Sequence, residues 1–225
     1  IYLKELILNS NKENNFIQNI ELPIFNEKII RSKNKNTYNL KKFLFATVTP
    51  WQYNDRKPVG YLTQNNGNLI ILDGEGNIGY FKIDDFNKNN LKLTFIKNNF
   101  TDIVDKNSKI FSKGRESFRG ILIHNENIYV SFYKMIKEGC YNIAILKSRF
   151  NYEFLKFEDF FSYNECSYNM SNHSGGKMVK YNDENFFFTT GDAQLFINAQ
   201  KDDSFFGKIY LINFNNGEYK LVAKG

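Results

Sequence analysis

Short apolar runs recur along the whole sequence, and each is closed by Asn, Asp or Gly before a helical period can establish itself. NLIILDGEGNIGYFKI is the sharpest case. Two β-rich runs meet there at Asp73-Gly74-Glu75-Gly76, residue types that accept the positive-φ positions of a tight turn. Gly120–His124 and Asn127–Phe132 repeat the pattern around Asn125-Glu126. Tyr141–Leu146 and Glu153–Phe157 are expected to pair through Lys147–Tyr152. Lys177–Tyr181 meets Phe186–Thr190 across Asn182-Asp183-Glu184-Asn185, and Lys208–Phe214 meets Tyr219–Ala223 across Asn215-Asn216-Gly217. Leu91–Ile96 reads as a further short strand. This predicts an all-β chain. The hairpins at 68–83, 120–132 and 177–190 recur at roughly 50-residue intervals, with another at 208–223. A repeat of that length built from short strands is what a β-propeller blade requires, and a large β-sandwich or barrel is the alternative the spacing leaves open.

The N-terminal stretch is less defined. Ile1–Leu8 suits a strand or a short helix; Phe16–Ile24 and Glu27–Ile30 suit short strands, and Arg31–Asn36 is a charged connector. Lys41–Thr49 is extended up to Pro50, and Trp51–Pro58 is a polar loop carrying aromatics.

The 225 residues can bury a sizeable core as one domain, expected here as a single unit over 1–225, with two small domains as the alternative. The formal charge is +6, but lysines alternate with Asp and Glu and no basic cluster forms. That dispersal describes a solvated surface and argues against a nucleic-acid partner. No apolar run approaches the ~18 residues that span a bilayer. Cys140 and Cys166 fix neither a pairing nor a compartment. The chain begins at Ile1 without a signal-like segment and reads as a processed protein or a fragment.

Chemistry concentrates between Asn172 and Lys208. His173 stands just before Gly175-Gly176 and the first strand of a hairpin; Asp192 stands just after the second strand. The two ends of an antiparallel hairpin lie on one side, so His173 and Asp192 are expected to be neighbours. A carboxylate that holds an imidazole in one tautomer is the second half of a general base. The plainer readings are a turn histidine bonding backbone and an Asx turn at Asp192.

The same stretch resembles the soluble quinoprotein glucose dehydrogenases and the wider glucose/sorbosone dehydrogenase family. Those proteins carry a His and a nearby Gly, a turn, an aromatic strand, T-G-D, an Ala-Gln pair and L-G-K-I. Here the counterparts are His173, Gly176, Phe187-Phe188, Thr190-Gly191-Asp192, Ala199-Gln200 and Phe206-Gly207-Lys208-Ile209, in that order. Upstream, GRESFRGILIHNENIYVSF resembles the family's G-Q-x-G-L-L-G-hydrophobic-H-P-x-F…Y-V-S segment, with Gly114, Gly120, His124 and Tyr129-Val130-Ser131 on matching positions.

The resemblance implies a six-bladed β-propeller of which this chain holds roughly half the blades. It implies a sugar (aldose) dehydrogenase that binds pyrroloquinoline quinone (PQQ) and calcium, exported to the periplasm or secreted. His173 is then the general base that takes the anomeric hydroxyl proton while hydride passes to the quinone, and Asp192 supports it. Arg115 stands at the family glutamine and suits a cofactor carboxylate, with a surface arginine as the plainer reading. The departures are Arg115 itself, Ser117 for a glycine, Phe118-Arg119 for L-L, Asn125 for a proline and Asn172 for an aspartate. The family's R-N-P motif and later cofactor contacts would follow Gly225, so the metal ligands are unknown. The alternative function is a non-catalytic propeller that binds a protein or carbohydrate partner. His124, inside a strand, is expected to pack structurally. Trp51 suits the lining of a sugar site or, more plainly, core or blade-edge packing. Asp73, Glu75, Asp84 and Asp85 lack the dense alternation of a calcium loop and read as solvated turns.

Overall fold

Alternation of β-branched and aromatic residues with Asn/Gly turns produces strands almost everywhere in the computed structural model, which describes residues 19–43, 60–74, 76–104, 117–168 and 173–225. The first sheet holds β1 (Asn19–Arg31), β2 (Thr37–Phe43), β3 (Gly60–Asn65), β4 (Asn68–Asp73), β5 (Ile78–Lys82) and β6 (Asn90–Asn98) in the order β2-β1-β6-β5-β4-β3. The second holds β7 (Phe118–His124), β8 (Asn127–Lys137), β9 (Cys140–Arg149) and β11 (Glu158–Phe161) in the order β11-β9-β8-β7. The third runs β12 (Gly175–Lys180), β13 (Asn185–Thr190), β14 (Lys208–Asn213), β15 (Tyr219–Lys224) in sequence. Helix among the described residues is limited to a 3-10 turn at Ile83–Asn87, α1 (Phe100–Ile103) and α2 (Phe196–Gln200). None is long and apolar enough to cross a membrane.

The three sheets stack face to face as propeller blades, and their innermost strands β3, β7 and β12 lie side by side. The middle blade shows why. β8 and β9 are buried on both faces, so their apolar residues form a near-continuous run instead of alternating with polar ones. Ile128, Val130 and Phe132 join Ile70, Leu72 and Ile78 in the core shared with the first blade. Tyr129 and Tyr133, one residue out of phase, join Phe186, Phe188 and Ile212 in the core shared with the third. Period-2 side-chain geometry thus divides one strand between two interfaces. Each buried aromatic or aliphatic side chain adds roughly 1.5–3 kcal/mol. The Cys140–Cys166 disulfide closes the outer side of the middle blade.

Three local expectations change. The expected pairing of Tyr141–Leu146 with Glu153–Phe157 does not form. β9 runs on to Arg149 and its free edge takes β11, while Phe154–Leu155 (β10) pairs in parallel with Lys97–Asn98 of β6. Leu155 is fully buried, and Asn151 Oδ1 accepts from the backbone N of Glu153 and Phe154 at 2.8 Å each, turning the chain toward the first blade. Asn99 clamps the crossing, accepting from Phe157 N at 2.8 Å and donating to Phe157 O at 3.1 Å. Second, the two short strands expected at 16–24 and 27–30 are, within the described residues, one strand, β1, whose pairing with β2 shifts register between Ile24 and Asn26. Third, Asp73 is not solvated. It is 1% exposed, and its carboxylate accepts from Asn77 N at 2.9 Å and Asn77 Nδ2 at 2.7 Å, forming the β4–β5 turn from inside.

Candidate active site

Three backbone features place His173 at the end of the molecule where the innermost strands begin. His173, Gly175 and Gly176 all have positive φ, at 54°, 72° and 94°. For a histidine that conformation costs about 1–2 kcal/mol and persists only where the surroundings hold it. Here the hold comes from the loop after β13. Ala193 N donates to His173 O at 3.0 Å, and Gly191 N donates to Ser174 O at 2.9 Å. A Cβ on Gly191 would lie 1.6 Å from the His173 carbonyl oxygen, so the glycine of T-G-D is required by close approach.

That contact brings the two expected partners together. His173 Nδ1 and Asp192 Oδ1 are 3.1 Å apart. A carboxylate only accepts, so Nδ1 carries the proton and the Nε2 lone pair is left toward solvent. The imidazole is about half exposed (53%) and the carboxylate much less so (18%). Asp192 Oδ1 also accepts from Gln194 N at 3.0 Å, so the Asx turn and the imidazole contact coexist in one side chain. The ring of Phe196, on α2, lies with its centroid 6.3 Å from that of the imidazole.

Behind this loop, Lys208 is almost fully buried, and its Nζ donates to the carbonyls of Asn198, Ala199 and Phe206 at 2.9 Å each. The first two belong to α2, so a cation at the helix C-terminus fixes the segment that carries Phe196. Burial lowers the Lys208 pKa. Thr190 Oγ1 accepts from Lys208 N at 3.1 Å, which ties T-G-D to the next strand. In front of the loop, the Lys177 ammonium lies 3.8 Å from the centroid of Tyr61, bridging the first residues of β12 and β3.

His124 lies elsewhere. It is buried, its Nε2 is 2.9 Å from the Asp183 carbonyl and it stacks on Phe214 at 4.1 Å. It packs the second blade on the third. Arg115, Trp51, Gly114, Asn172 and Glu75 lie outside the described residues. Asp84 and Asp85 sit in the 3-10 turn, with Asp85 paired to Lys88 at 2.6 Å. Among the described residues, no three His, Cys, Asp or Glu side chains converge to hold a metal. Ser174, Tyr133 and Arg119 were not singled out from sequence as parts of this region; the one available signal was the arginine at a family leucine position.

Residues 87–220, more than half of the chain, match the family profile described as Glucose / Sorbosone dehydrogenase. The chain belongs to the glucose/sorbosone dehydrogenase family. Two solved structures agree in fold. One, titled "glucose dehydrogenase", is 18% identical with a TM-score of 0.53, over 70% of this chain and 48% of its own. The other, titled "Crystal structure of glucose dehydrogenase", is 17% identical with a TM-score of 0.53, over 70% of this chain and 45% of its own. The chain therefore spans just under half the length of the glucose dehydrogenases it matches. No curated protein sequence matches it. Within this family the stacked sheets are the blades of a β-propeller, and the His173 loop opens the innermost strand of the third.

Proposed function

We propose that the complete protein carrying this chain is a quinone-dependent aldose dehydrogenase with His173 as its general base, built as one propeller to which these three blades contribute. The observation that supports this reading is the 3.1 Å contact between His173 Nδ1 and Asp192 Oδ1 at the mouth of the innermost strands. With Nδ1–H directed at Asp192, Nε2 accepts the proton of the sugar's anomeric hydroxyl. Asp192 then stabilises the imidazolium that forms. Removing that proton is what allows hydride to leave the carbon.

The residues present fit PQQ, a tricarboxylate, in one respect: Lys177 brings a cation to the same end as His173, and its ammonium would hold a carboxylate. Bound there, the quinone supplies the two-electron acceptor. Arg115 is proposed as a second carboxylate contact. Among the described residues no three His, Cys, Asp or Glu side chains converge as a calcium site. The Cys140–Cys166 disulfide supports an oxidising compartment, the periplasm or the exterior, as the place of action.

The test is a titration of the complete protein with PQQ and calcium, followed by visible absorbance on adding aldoses. Sugar-dependent reduction of the bound quinone is expected. In His173→Ala, turnover should fall at least about 100-fold with quinone binding retained. Undiminished turnover in that variant removes the general-base role. Failure to bind the quinone at all makes a non-catalytic binding propeller the better account.

A further inference from the structure

The His173 loop is strained, and besides the Gly191 and Ala193 contacts within its own blade it is anchored from a different blade. Ser131 and Tyr133 stand two residues apart on β8 and so face the same side, toward the third blade. Ser131 Oγ donates to Gly176 O at 2.6 Å, and Tyr133 Oη donates to Ser174 Oγ at 2.9 Å. Both donors and Ser174 are buried. The Tyr133 hydroxyl accepts in turn from Arg119 Nη2, and the guanidinium carbon lies 4.5 Å from the Tyr133 ring centroid. Tyr61, on the innermost strand of the first blade, also interacts with this guanidinium.

We propose that Arg119 and Tyr133 are positioning residues for His173, acting through Ser174. The proposal rests on the general-base reading of His173. The physical logic is directional. A guanidinium only donates, so it occupies a lone pair of the Tyr133 hydroxyl and commits that group's single proton to Ser174. The chain Arg119→Tyr133→Ser174 can thus be made in only one sense. Ser174 adjoins His173, and its own carbonyl accepts from Gly191 N, next to Asp192. A displacement of Ser174 therefore moves both partners of the His173–Asp192 contact. Arg119 stands where the family motif carries a leucine, which has no hydrogen to give; without it the Tyr133 hydroxyl is free to rotate away.

The experiment uses Tyr133→Phe and Arg119→Leu in the complete protein, with histidine labelled by 15N in the imidazole and His173 assigned through a His173→Gln variant. A solvated imidazole favours Nε2–H, so a loosened loop should move His173 from the Nδ1–H tautomer toward a mixture. Both variants should show that change in 15N shifts. With PQQ bound, both should lose about ten- to a hundredfold in kcat while KM for the aldose changes little, because a small misplacement of a reacting group is costly. The double variant should be no worse than either single one, since all three break the same chain. His173 15N shifts identical to the parent in both variants would overturn the proposal. The imidazole signal needs no turnover, so it reports on positioning even if the complete protein oxidises no sugar. In that case the general-base reading falls by itself.

Discussion

At the scale of single residues, the two histidines make opposite tautomers of one ring. Asp192 can only accept, which puts the proton of His173 on Nδ1. The Asp183 carbonyl can only accept, which puts the proton of His124 on Nε2. Long-range 15N–1H correlation spectra of the neutral rings should show one of each; two Nε2–H rings would refute the Asp192 contact in solution. If Asp192 sets the tautomer, Asp192→Asn should lower kcat about 100-fold, because the amide can donate to Nδ1 and leave the proton on the wrong nitrogen. A parent-like kcat in that variant would separate the carboxylate from the chemistry. The proximity of His173 and Asp192 was legible because the ends of a hairpin must meet. The roles of Ser174 and Tyr133 were not. They depend on which face of β8 meets the third blade, and in a strand buried on both faces the sequence shows no polar alternation to say so.

At the scale of elements, what the sequence hid was mostly carried by buried polar side chains. The turn sequences around Asn125-Glu126 and Asn215-Asn216-Gly217 do join paired strands, β7 to β8 and β14 to β15. The segment after Arg149 was misread because its partner lies over 50 residues upstream in β6, a non-local pairing that local propensity cannot express. Lys208 shows the same limit. As a strand-initiating lysine it looks solvated, yet it is 2% exposed and satisfies three carbonyls around α2. Lys208→Met should destabilise the complete protein by about 3 kcal/mol, the scale of losing charge-assisted bonds and leaving buried carbonyls unpaired. Faster amide exchange should appear first near α2. Burial also lowers the Lys208 pKa, so between that lowered value and the ordinary lysine range the unfolded chain holds more protons than the folded one. Stability should therefore rise with pH across that alkaline window, and Lys208→Met should flatten the rise. Denaturant midpoints measured across the window test the sign, and a slope unchanged by the substitution would show that Lys208 does not titrate there.

At the scale of the molecule, everything depends on how closely the innermost strands approach, and one glycine measures it. A Cβ on Gly120 would lie 2.6 Å from Gly176 O and 3.1 Å from Ser131 Oγ. The obstacle is a backbone carbonyl already fixed by Ser131, not the far end of a flexible side chain, so β7 and β12 must move apart to admit a methyl group. Gly120 has no positive φ, so Gly120→Ala isolates this steric effect. Gly67→Ala is the natural contrast: Gly67 has φ 74° with nothing within 4 Å of a new Cβ, and its cost is conformational and local. Both substitutions should destabilise the complete protein by about 1–3 kcal/mol, through overpacking at Gly120 and backbone strain at Gly67. Only Gly120→Ala should change the His173 15N shifts, because the strand it displaces carries Gly176, three residues from the imidazole. If neither substitution moved that signal, the blades would be packed more loosely than the His173 loop requires, and the Gly191 and Ala193 contacts of its own blade would hold the loop by themselves.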